Sequence, residues 1–373
     1  MSSAAAGVAK IDVSYQGQVG SFTRAGAVNF FSRCPADSVQ FSPAQGLKDV
    51  FVEVTEGRSA YGVVPLESSS HGTIHSVYDM LLASGGKVFI VGEIGQLEEH
   101  CLCMNNRSTV KESDITKVYC HPHILDCCSE YLDALDSQRQ GTGKPPLQRI
   151  PTWDSAAACT LVGSADSQDL SASAIGSSDA AQFHAMKMVK RGVGNDSNAE
   201  TRYVVLARRI SGSADGITDT VTGTIHDPLQ IAPVSPVAGG TPTAASNLQN
   251  RVAQKASIAL GLRNESGALF KMSSCFALRN VNIVKIESRP SSVASKMRFS
   301  SVEQSPFAAG VKHWDLIYYI DYECGSAETQ SALLSNLQEY CLWIRQLGHY
   351  APGLHAIEAA PSEWKQLIDV ICY

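Results

Sequence analysis

The sequence predicts an α/β protein that carries a second, smaller domain at its C-terminal side. Residues 10–208 alternate strand-like and helix-like patterns. Residues 211–250 contain no Lys, Arg or aromatic residue and are rich in small and polar ones. The residues after that stretch follow the order β-α-β-β-α-β over about 100 residues, which is the ferredoxin-like split motif. The predicted boundaries are therefore a domain at 1–210, a linker at 211–250 and a domain at 251–373 with a C-terminal extension.

Short apolar runs predict the strands of the first domain. In chain order, the segments read as strands are KIDVSYQG, SAYGVVPLE, two within KVFIVGEIGQLEEHCLCM, ITKVYCH, SASAIGSS and AETRYVVLARR. Helical spacing is found in SFTRAGAVNFF, LKDVFVEVTEG and WDSAAACTLVG. Residues 136–149 and 163–172 are predicted to be surface loops.

The second domain is predicted from the same two periodicities. Strands are expected at KASIALGL, VNIVKIESRP and HWDLIYYIDYE, with a short final strand at Gln346–Tyr350. Two amphipathic helices are expected at ESGALFKMSSCFALRN and AETQSALLSNLQEYCLWIR.

Composition excludes several classes of protein. The 373 residues are 44% hydrophobic and 18% charged, and the net charge of −6 without a long basic run argues against a nucleic-acid or membrane-surface role. The start, MSSAAAGVAKIDVSY, lacks the features of a signal peptide, which favours the cytoplasm, or the plastid stroma if a transit peptide has been removed. The 11 cysteines are then expected to be mostly buried thiols, with core packing preferred over a metal site for Cys101 and Cys103.

Polar side chains stand where several predicted strands end, which is where α/β proteins bind ligands. They occur at Ser21–Thr23, Glu67–Ser69, Ser177–Ser178 and Thr201–Tyr203. The sequence has no GxSxG, Walker or HExxH motif, and GQVGS lacks the third glycine of a dinucleotide loop. Hydroxyl groups from dispersed segments therefore predict a small anionic substrate held without metal or nucleotide. For Ser21, a simple helix cap and an anion site are equally favoured.

Several motifs resemble, in the right order, those of the prephenate and arogenate dehydratases. GQVGSFT resembles the family's GxxGTFT, and GVVPLESSSHGTIHSVYDMLL resembles its GVVPIENSxxGxVxxxxDLL. VYCHPH stands where the family has an S-H-P-Q stretch, and TRYVVL resembles its TRF motif. GALFKMSSCFALRNVNIVKIESRP resembles the phenylalanine-binding part of an ACT regulatory domain. The resemblance covers about residues 11–350, interrupted at the predicted linker.

The resemblance implies a catalytic domain of two lobes, like a periplasmic binding protein, followed by an ACT domain. It implies phenylalanine biosynthesis: prephenate or arogenate loses carbon dioxide and water to give phenylpyruvate or phenylalanine. That reaction needs no metal or redox cofactor. It also implies a dimer or tetramer whose activity phenylalanine controls. The alternative is a catalytically weak amino-acid-binding regulator of the same fold.

The resemblance makes Thr201 the catalytic residue, and Thr23 and Ser69 are expected to assist its hydroxyl. The expected substrate-binding residues are Ser21, Phe22, Glu67, Ser68, His123, Ser177, Arg202 and Tyr203. Strand alternation places Tyr203 on the face of Thr201 and turns Arg202 away, so a structural ion pair and a carboxylate clamp are equally favoured for Arg202. For Glu67, a structural role through local backbone N–H groups is preferred over contact with the ammonium of arogenate. His71 and His75, four apart on an expected helix, are assigned no role.

The expected effector-binding residues are Asn264, Gly267, Ala268, Leu269, Glu287, Ser288 and Arg289. The turn into the first helix of the second domain offers free N–H groups to a carboxylate, and Arg289 could instead pair across an interface. Four positions depart from the family pattern: Ser68 replaces Asn, Cys120 replaces Ser, His123 replaces Gln and Ser266 replaces Pro. Loss of an amide donor at Ser68 is expected to lower activity without abolishing the site.

Overall fold

The computed structural model describes residues 10–208 except 33 and 36, and residues 254–291 and 315–353. The predicted linker and the C-terminal extension lie outside the described residues, so their boundaries stay predictions. Among the described helices, none is long and apolar enough to cross a membrane.

The first lobe contains both ends of the N-terminal domain. Its sheet has the order β2-β1-β3-β11-β5, in which β1 is parallel to β2 and β3, and β11 is antiparallel to β3 and β5. Its strands are β1 (Ile11–Gln16), β2 (Val39–Ala44), β3 (Tyr61–Ser68), β4 (Gly72–Thr73), β5 (Val88–Leu97) and β11 (Glu200–Arg208). Its helices are α1 (Phe22–Phe30), α2 (Leu47–Glu56) and α3 (His75–Ala83).

The second lobe is inserted between β5 and β11. Its five-stranded sheet has the order β10-β6-β9-β7-β8. The strands are β6 (Cys101–Met104), β7 (Lys117–Cys120), β8 (Gln148–Pro151), β9 (Ala172–Gly176) and β10 (Lys187–Lys190). The helices are α4 (Pro122–Cys127), α5 (Ser129–Gly141), α6 (Ser155–Gly163) and α7 (Ser178–Phe183), with a 3₁₀ turn at Glu112–Asp114.

Two short segments join the lobes, residues 98–100 and 191–199. They run side by side, because the Glu98 N–H donates to the Ala199 carbonyl at 2.9 Å and the Val193 N–H donates to the His100 carbonyl at 3.0 Å. Residues on these segments therefore lie between the two lobes.

The C-terminal domain has the predicted β-α-β-β-α-β order. It comprises β12 (Gln254–Leu262), α8 (Ala268–Ala277), β13 (Ile283–Pro290), β14 (Leu316–Cys324), α9 (Ala327–Tyr340) and β15 (Cys341–Tyr350), in the sheet order β13-β14-β12-β15. β15 also pairs with β5 where Gly348 lies opposite Ile90, so one sheet runs through both domains. A side chain on Gly348 would come within 2.4 Å of the Ile90 carbonyl oxygen, which explains the glycine.

Two predictions of secondary structure are wrong. The last helix ends at Tyr340, and the segment from Cys341 to Arg345, predicted as helix, belongs to a β15 that is longer than Gln346–Tyr350. Pairing of this segment with β12 overrides its helical spacing. The predicted loop 136–149 contains the last turns of α5 and the start of β8.

Candidate active site between the lobes

A half-open cavity of about 320 Å³ lies between the lobes. The turn after β3 contributes to it from one side, α4 from the other, and the two joining segments close it between them. The lining residues are Ser70, His71, His100, Asp126, Cys127, Asn195, Asp196 and Ala199.

His100 marks this cavity as a place for a ligand. Its side chain is 1% exposed, and neither ring nitrogen has a hydrogen-bond partner among the described residues. Burial, and to a lesser degree the neighbouring His71, lowers the pKa of His100 to about 4, so the ring is neutral near pH 7. Buried polar groups rarely stay unpaired in a protein, which makes these two nitrogens natural contacts for a bound molecule. The edge of the ring packs against Phe22, with centroids 5.4 Å apart.

A chain of hydrogen bonds brings together three residues that the sequence analysis selected. The Tyr203 hydroxyl donates to Glu98 Oε1 at 3.0 Å, and the Thr201 hydroxyl reaches the same carboxyl group. The Thr23 hydroxyl donates to Gln16 Oε1 at 3.4 Å and lies near the Tyr203 hydroxyl. Thr23, Thr201 and Tyr203 are each at most 4% exposed. The buried hydroxyl groups of Thr201 and Tyr203 thus meet at one acid, Glu98.

Glu98 is the residue that the sequence analysis missed. Burial raises its pKa, and the hydrogen bonds from Thr201 and Tyr203 only partly offset this effect. The available signal was its position directly after β5, like the other polar strand ends. The neighbouring Glu99 carries the same side chain, points outward and pairs with Arg191 at 3.0 Å. Sequence spacing gave no means of choosing between the two acids.

Ser21 and Ser177 lie where the lobes touch. The Ser177 hydroxyl donates to the Gly20 carbonyl at 2.6 Å and caps α7, and Ser21 caps α1 by accepting from the Arg24 N–H at 3.2 Å. Gly20 has a φ of +89°, and a Cβ there would lie 2.5 Å from Ala180 Cα. Both serines are thus engaged as caps, and the loop GQVGS serves as the contact between lobes.

The turn after β3 supplies the next group of polar residues. Ser69 accepts from the Glu200 N–H at 3.0 Å, and its own N–H donates to the Glu200 carbonyl, so it holds the residue that precedes Thr201. Ser68 lies opposite Thr201 in the ladder, and its hydroxyl accepts from the Ser70 N–H at 3.3 Å.

The histidines near the cavity differ from expectation in one respect. His71 is not on a helix with His75, because the glycine and threonine of β4 intervene and α3 begins at His75. His71 stacks on His123 with centroids 4.9 Å apart, and His123 is exposed. His75 instead contacts Glu287 of the C-terminal domain at 3.1 Å.

Arg202 and Glu67 face away from the cavity and into the contact between the two domains. Arg202 is 8% exposed and pairs with Glu93 at 2.9 Å, Asp321 at 2.8 Å and Glu67 at 3.1 Å. Glu67 also accepts from Lys285 at 2.6 Å. The partners of Glu67 are therefore side-chain cations, and the expected backbone N–H groups are not among them. Of the two roles weighed for Arg202, its geometry is that of an ion-pair residue.

The expected effector residues divide between two surfaces. Glu287 accepts from the Thr73 hydroxyl at 2.9 Å and Arg289 donates to Asp79 at 2.7 Å, so both hold the C-terminal domain on the first lobe. Ser288 is exposed on the other face of β13. The turn containing Asn264 leads to Gly267, whose φ of +79° begins α8 at Ala268 and Leu269. Gly261 and Arg289 lie opposite the same residue of β14. The turn after β12 and the end of β13 therefore lie at the same end of the sheet.

The architecture is that of a two-lobed α/β binding domain joined to a ferredoxin-like domain, with a half-open cavity between the lobes. Comparison with known proteins identifies the family, since residues 13–211 match the model of prephenate dehydratase. The chain belongs to the prephenate dehydratase family.

Individual relatives agree with this assignment. Arogenate dehydratase/prephenate dehydratase 1 of Arabidopsis thaliana, a chloroplastic protein, is 30% identical over 92% of this chain and 73% of its own length. The bifunctional chorismate mutase/prephenate dehydratase of Aquifex aeolicus is 27% identical over 92% of this chain and 75% of its own. Among solved structures, the prephenate dehydratase of Arthrobacter aurescens in complex with L-Phe has the same fold. Its TM-score is 0.64 at 19% identity, covering 96% of this chain and 97% of that one.

Proposed function

We propose that this protein is a carbon–oxygen lyase that converts arogenate to phenylalanine or prephenate to phenylpyruvate. In either case the substrate loses its ring carboxylate as carbon dioxide and its ring hydroxyl as water. The observation that carries the proposal is the placement of Thr201, which is buried two residues after Ala199 of the cavity lining and whose hydroxyl acts on Glu98 together with that of Tyr203.

The reaction needs a proton donor for the departing hydroxyl and a site that stabilises the ring carboxylate poorly, and the residues present suit both requirements. The departing hydroxyl needs a proton donor, which is Thr201 acting within its chain of hydroxyl groups. The ring carboxylate must be held where its charge is poorly stabilised, so that it leaves as neutral carbon dioxide. His100 is neutral, Phe22 packs against it, and Thr201 and Tyr203 carry no charge.

Of the two substrates, we infer that arogenate is preferred. Asp126 and Asp196 both line the cavity, and none of its described lining residues is Lys or Arg. Carboxylates favour the ammonium group of arogenate and disfavour the corresponding second anionic end of prephenate. The preference is expected to be modest, because both aspartates are exposed and water screens their charges.

The test is turnover by the purified chain given each substrate separately, followed by product formation with and without phenylalanine. The expected result is product from both, with the larger kcat/KM for arogenate. Turnover of neither substrate would contradict the proposal and favour a catalytically weak amino-acid-binding regulator. A larger kcat/KM for prephenate would contradict only the substrate preference.

We infer that phenylalanine binds the edge of the C-terminal sheet at Asn264, Gly267, Ala268, Leu269 and Ser288, with Glu287 and Arg289 beside it. Support comes from the left-handed turn at Gly267, which begins α8 with free N–H groups, and from the solved relative in complex with L-Phe. A rate that is unchanged by phenylalanine in the turnover assay would contradict this.

A dimer or tetramer is the state that suits the exposed surface of the same domain. Phe270 on α8 is 77% exposed, and Val284 and Ile286 on the outermost strand β13 are 44% and 47% exposed. Exposed apolar side chains on β13, which is the outermost of the described strands, favour pairing with a second copy. Light scattering that gives a monomer mass would argue against it. The chloroplastic relative supports a plastid location as the alternative to the cytoplasm.

A further inference from the structure

Glu98 is the acid on which the Thr201 and Tyr203 hydroxyl groups act, and nothing in the family motifs assigns it a role. We propose that Glu98 is the proton reservoir of the reaction, resupplying Thr201 as Thr201 protonates the departing hydroxyl. The proposal rests on the dehydration proposed above and names the source of its proton. Glu98 acts through Thr201, so it is a positioning and relay residue.

The geometry places Glu98 between Thr201 and Tyr203, in reach of both hydroxyl groups. It follows β5, next to the point where β11 begins, and the ladder pairs Thr201 with Gln96, two residues before it on the same face. Tyr203 donates to its Oε1 at 3.0 Å, and Thr201 reaches the same carboxyl group. The Thr23 hydroxyl lies near that of Tyr203 and donates to Gln16 Oε1.

The protonation state of Glu98 decides what Thr201 can do. A threonine hydroxyl has one proton, and an ionised Glu98 accepts that proton as a hydrogen bond, because a carboxylate is an acceptor only. A protonated Glu98 donates to the Thr201 oxygen instead, and the Thr201 proton then points toward the substrate. Only the neutral acid therefore leaves Thr201 free to donate.

The proposed step balances in atoms and charge. The electron pair of the bond between the ring and its carboxylate becomes part of the aromatic ring, and carbon dioxide leaves. The pair of the ring carbon–oxygen bond departs with the hydroxyl, which takes the Thr201 proton and leaves as water. Thr201 takes the proton of Glu98, and the resulting carboxylate recovers one from solvent after the products depart.

The surroundings of Glu98 suit a neutral acid. From β11 it faces the hydroxyls of Thr201 and Tyr203, and from α4 it faces the Cys127 thiol, whose pKa is raised by burial and by Glu98 itself. Across the cavity stand His71 and the neutral ring of His100, and Asp154 acts on Tyr203 from α6's cap. No Lys or Arg charge acts on Glu98 from the described residues, and burial raises its pKa. The acid thus keeps its proton to a higher pH than an exposed glutamate does.

The decisive variant is Glu98→Gln, compared with Glu99→Gln as the matched control. Glutamine keeps one acceptor and adds donors, so it preserves the hydrogen bonds of the neutral acid but has no proton to transfer. The expected result is a loss in kcat of about 100-fold or more, with KM changed by less than about threefold. In the wild type, kcat should fall on the alkaline side as Glu98 ionises, and Glu98→Gln should lack this limb. Glu99→Gln should match the wild type in rate and pH profile.

A Glu98→Asp variant provides the second arm of the experiment. It keeps a transferable proton at a longer distance, so it should lose rate but retain the alkaline limb. Wild-type turnover is measured first, and absence of any turnover overturns the proposed function and the relay together. If the wild type is active, the relay alone is overturned by a Glu98→Gln variant with full kcat, by an Asp variant that lacks the limb, or by a wild-type kcat without one.

Discussion

Thr201 and Arg202 are neighbours on β11, yet the two faces of that strand are built in opposite ways. On the cavity side, Thr201, Tyr203 and Thr23 bring three hydroxyl groups together with one acid, Glu98. On the other side, Arg202 belongs to a network that has three Lys or Arg side chains and four carboxylates among the described residues. Its other members are Glu67, Glu93, Lys255, Lys285, Glu287 and Asp321.

The charged face holds the C-terminal domain in place. Lys255 comes from β12, Lys285 from β13 and Asp321 from β14, so three strands of that domain reach the same cluster. Burial pushes the pKa of Glu93 upward, but the charges of Lys255 and Arg202 outweigh this and hold the pKa below its usual value. Buried charges in such a cluster are stable only together, since removing one leaves its partners unpaired.

The difference shows how one strand serves stability and chemistry at once. Positive charges beside the cavity would stabilise the substrate carboxylate that has to leave, and the cavity face of β11 carries neutral hydroxyl groups instead. The side chain of Arg202, the next residue, points to the opposite face, where its charge connects β11 to the C-terminal domain. Changes on the cavity face should therefore alter rate, and changes on the domain face should alter stability.

The largest effect is expected for Thr201→Val on the cavity face. Valine has the same shape without the hydroxyl, so kcat should fall by about 10²–10⁴-fold, as expected when a positioned proton donor is lost. The free energy of unfolding should fall by no more than about 1–2 kcal/mol. Steady-state kinetics and urea unfolding measure the two quantities. Thr55→Val, which removes a hydroxyl on α2, is the control for rate. A Thr201→Val enzyme with full kcat would remove Thr201 from the mechanism.

On the domain face, Arg202→Met should act on stability first. Glu93 and Asp321, 3% and 1% exposed, would lose their shared partner, which costs about 3–5 kcal/mol in buried networks. Urea unfolding of the full chain measures the loss. Arg191→Met, which breaks an exposed pair with Glu99, should change the unfolding free energy by less than about 1 kcal/mol. Equal losses of unfolding free energy in the two variants would mean that the buried network stabilises the protein no more than the exposed ion pair does.

A smaller effect is expected on the pH dependence of the unfolding free energy, to which His100 at the cavity and the acids of the domain contact contribute in different pH ranges. His100 has a pKa of about 4 in the folded protein against 6.5 in the unfolded chain, so the unfolded state takes up the proton first. The contribution of the neutral His100 ring to the free energy of unfolding is complete above pH 6.5. It falls by up to about 3 kcal/mol as the pH drops to about 4. Glu67 and Glu93, whose pKa values are lowered, lose their contribution only below about pH 4.5.

The difference between wild type and His100→Leu in unfolding free energy, followed from pH 7.5 to 4, isolates the histidine. His121 and His349 also have lowered pKa values, so the wild-type curve alone does not suffice. The wild-type curve should fall relative to the His100→Leu curve by up to about 3 kcal/mol as the pH drops from 6.5 to about 4. Parallel curves would show that His100 is not the group that titrates.

Much of this site follows from local patterns. The alternation of strands and helices, the polar strand ends and the alternation of Thr201, Arg202 and Tyr203 on β11 are properties of short stretches. These patterns correctly indicated the fold, and they place Arg202 on the face of β11 opposite to that of Thr201. Glu98 could not be chosen over Glu99, because the choice depends on which acid turns into the space between the lobes. The last helix was predicted too long, because pairing with β12 determines the conformation of the segment from Cys341 to Arg345.

The sequence by itself determined which segments form strands and which face each side chain takes, because both depend on backbone periodicity over a few residues. Only the tertiary structure decided partners. Glu67 binds Arg202 and Lys285, Glu287 and Arg289 hold the first lobe, and His71 stacks on His123. Each of these contacts joins residues far apart in the chain, and their energies depend on the burial that the assembled domains create.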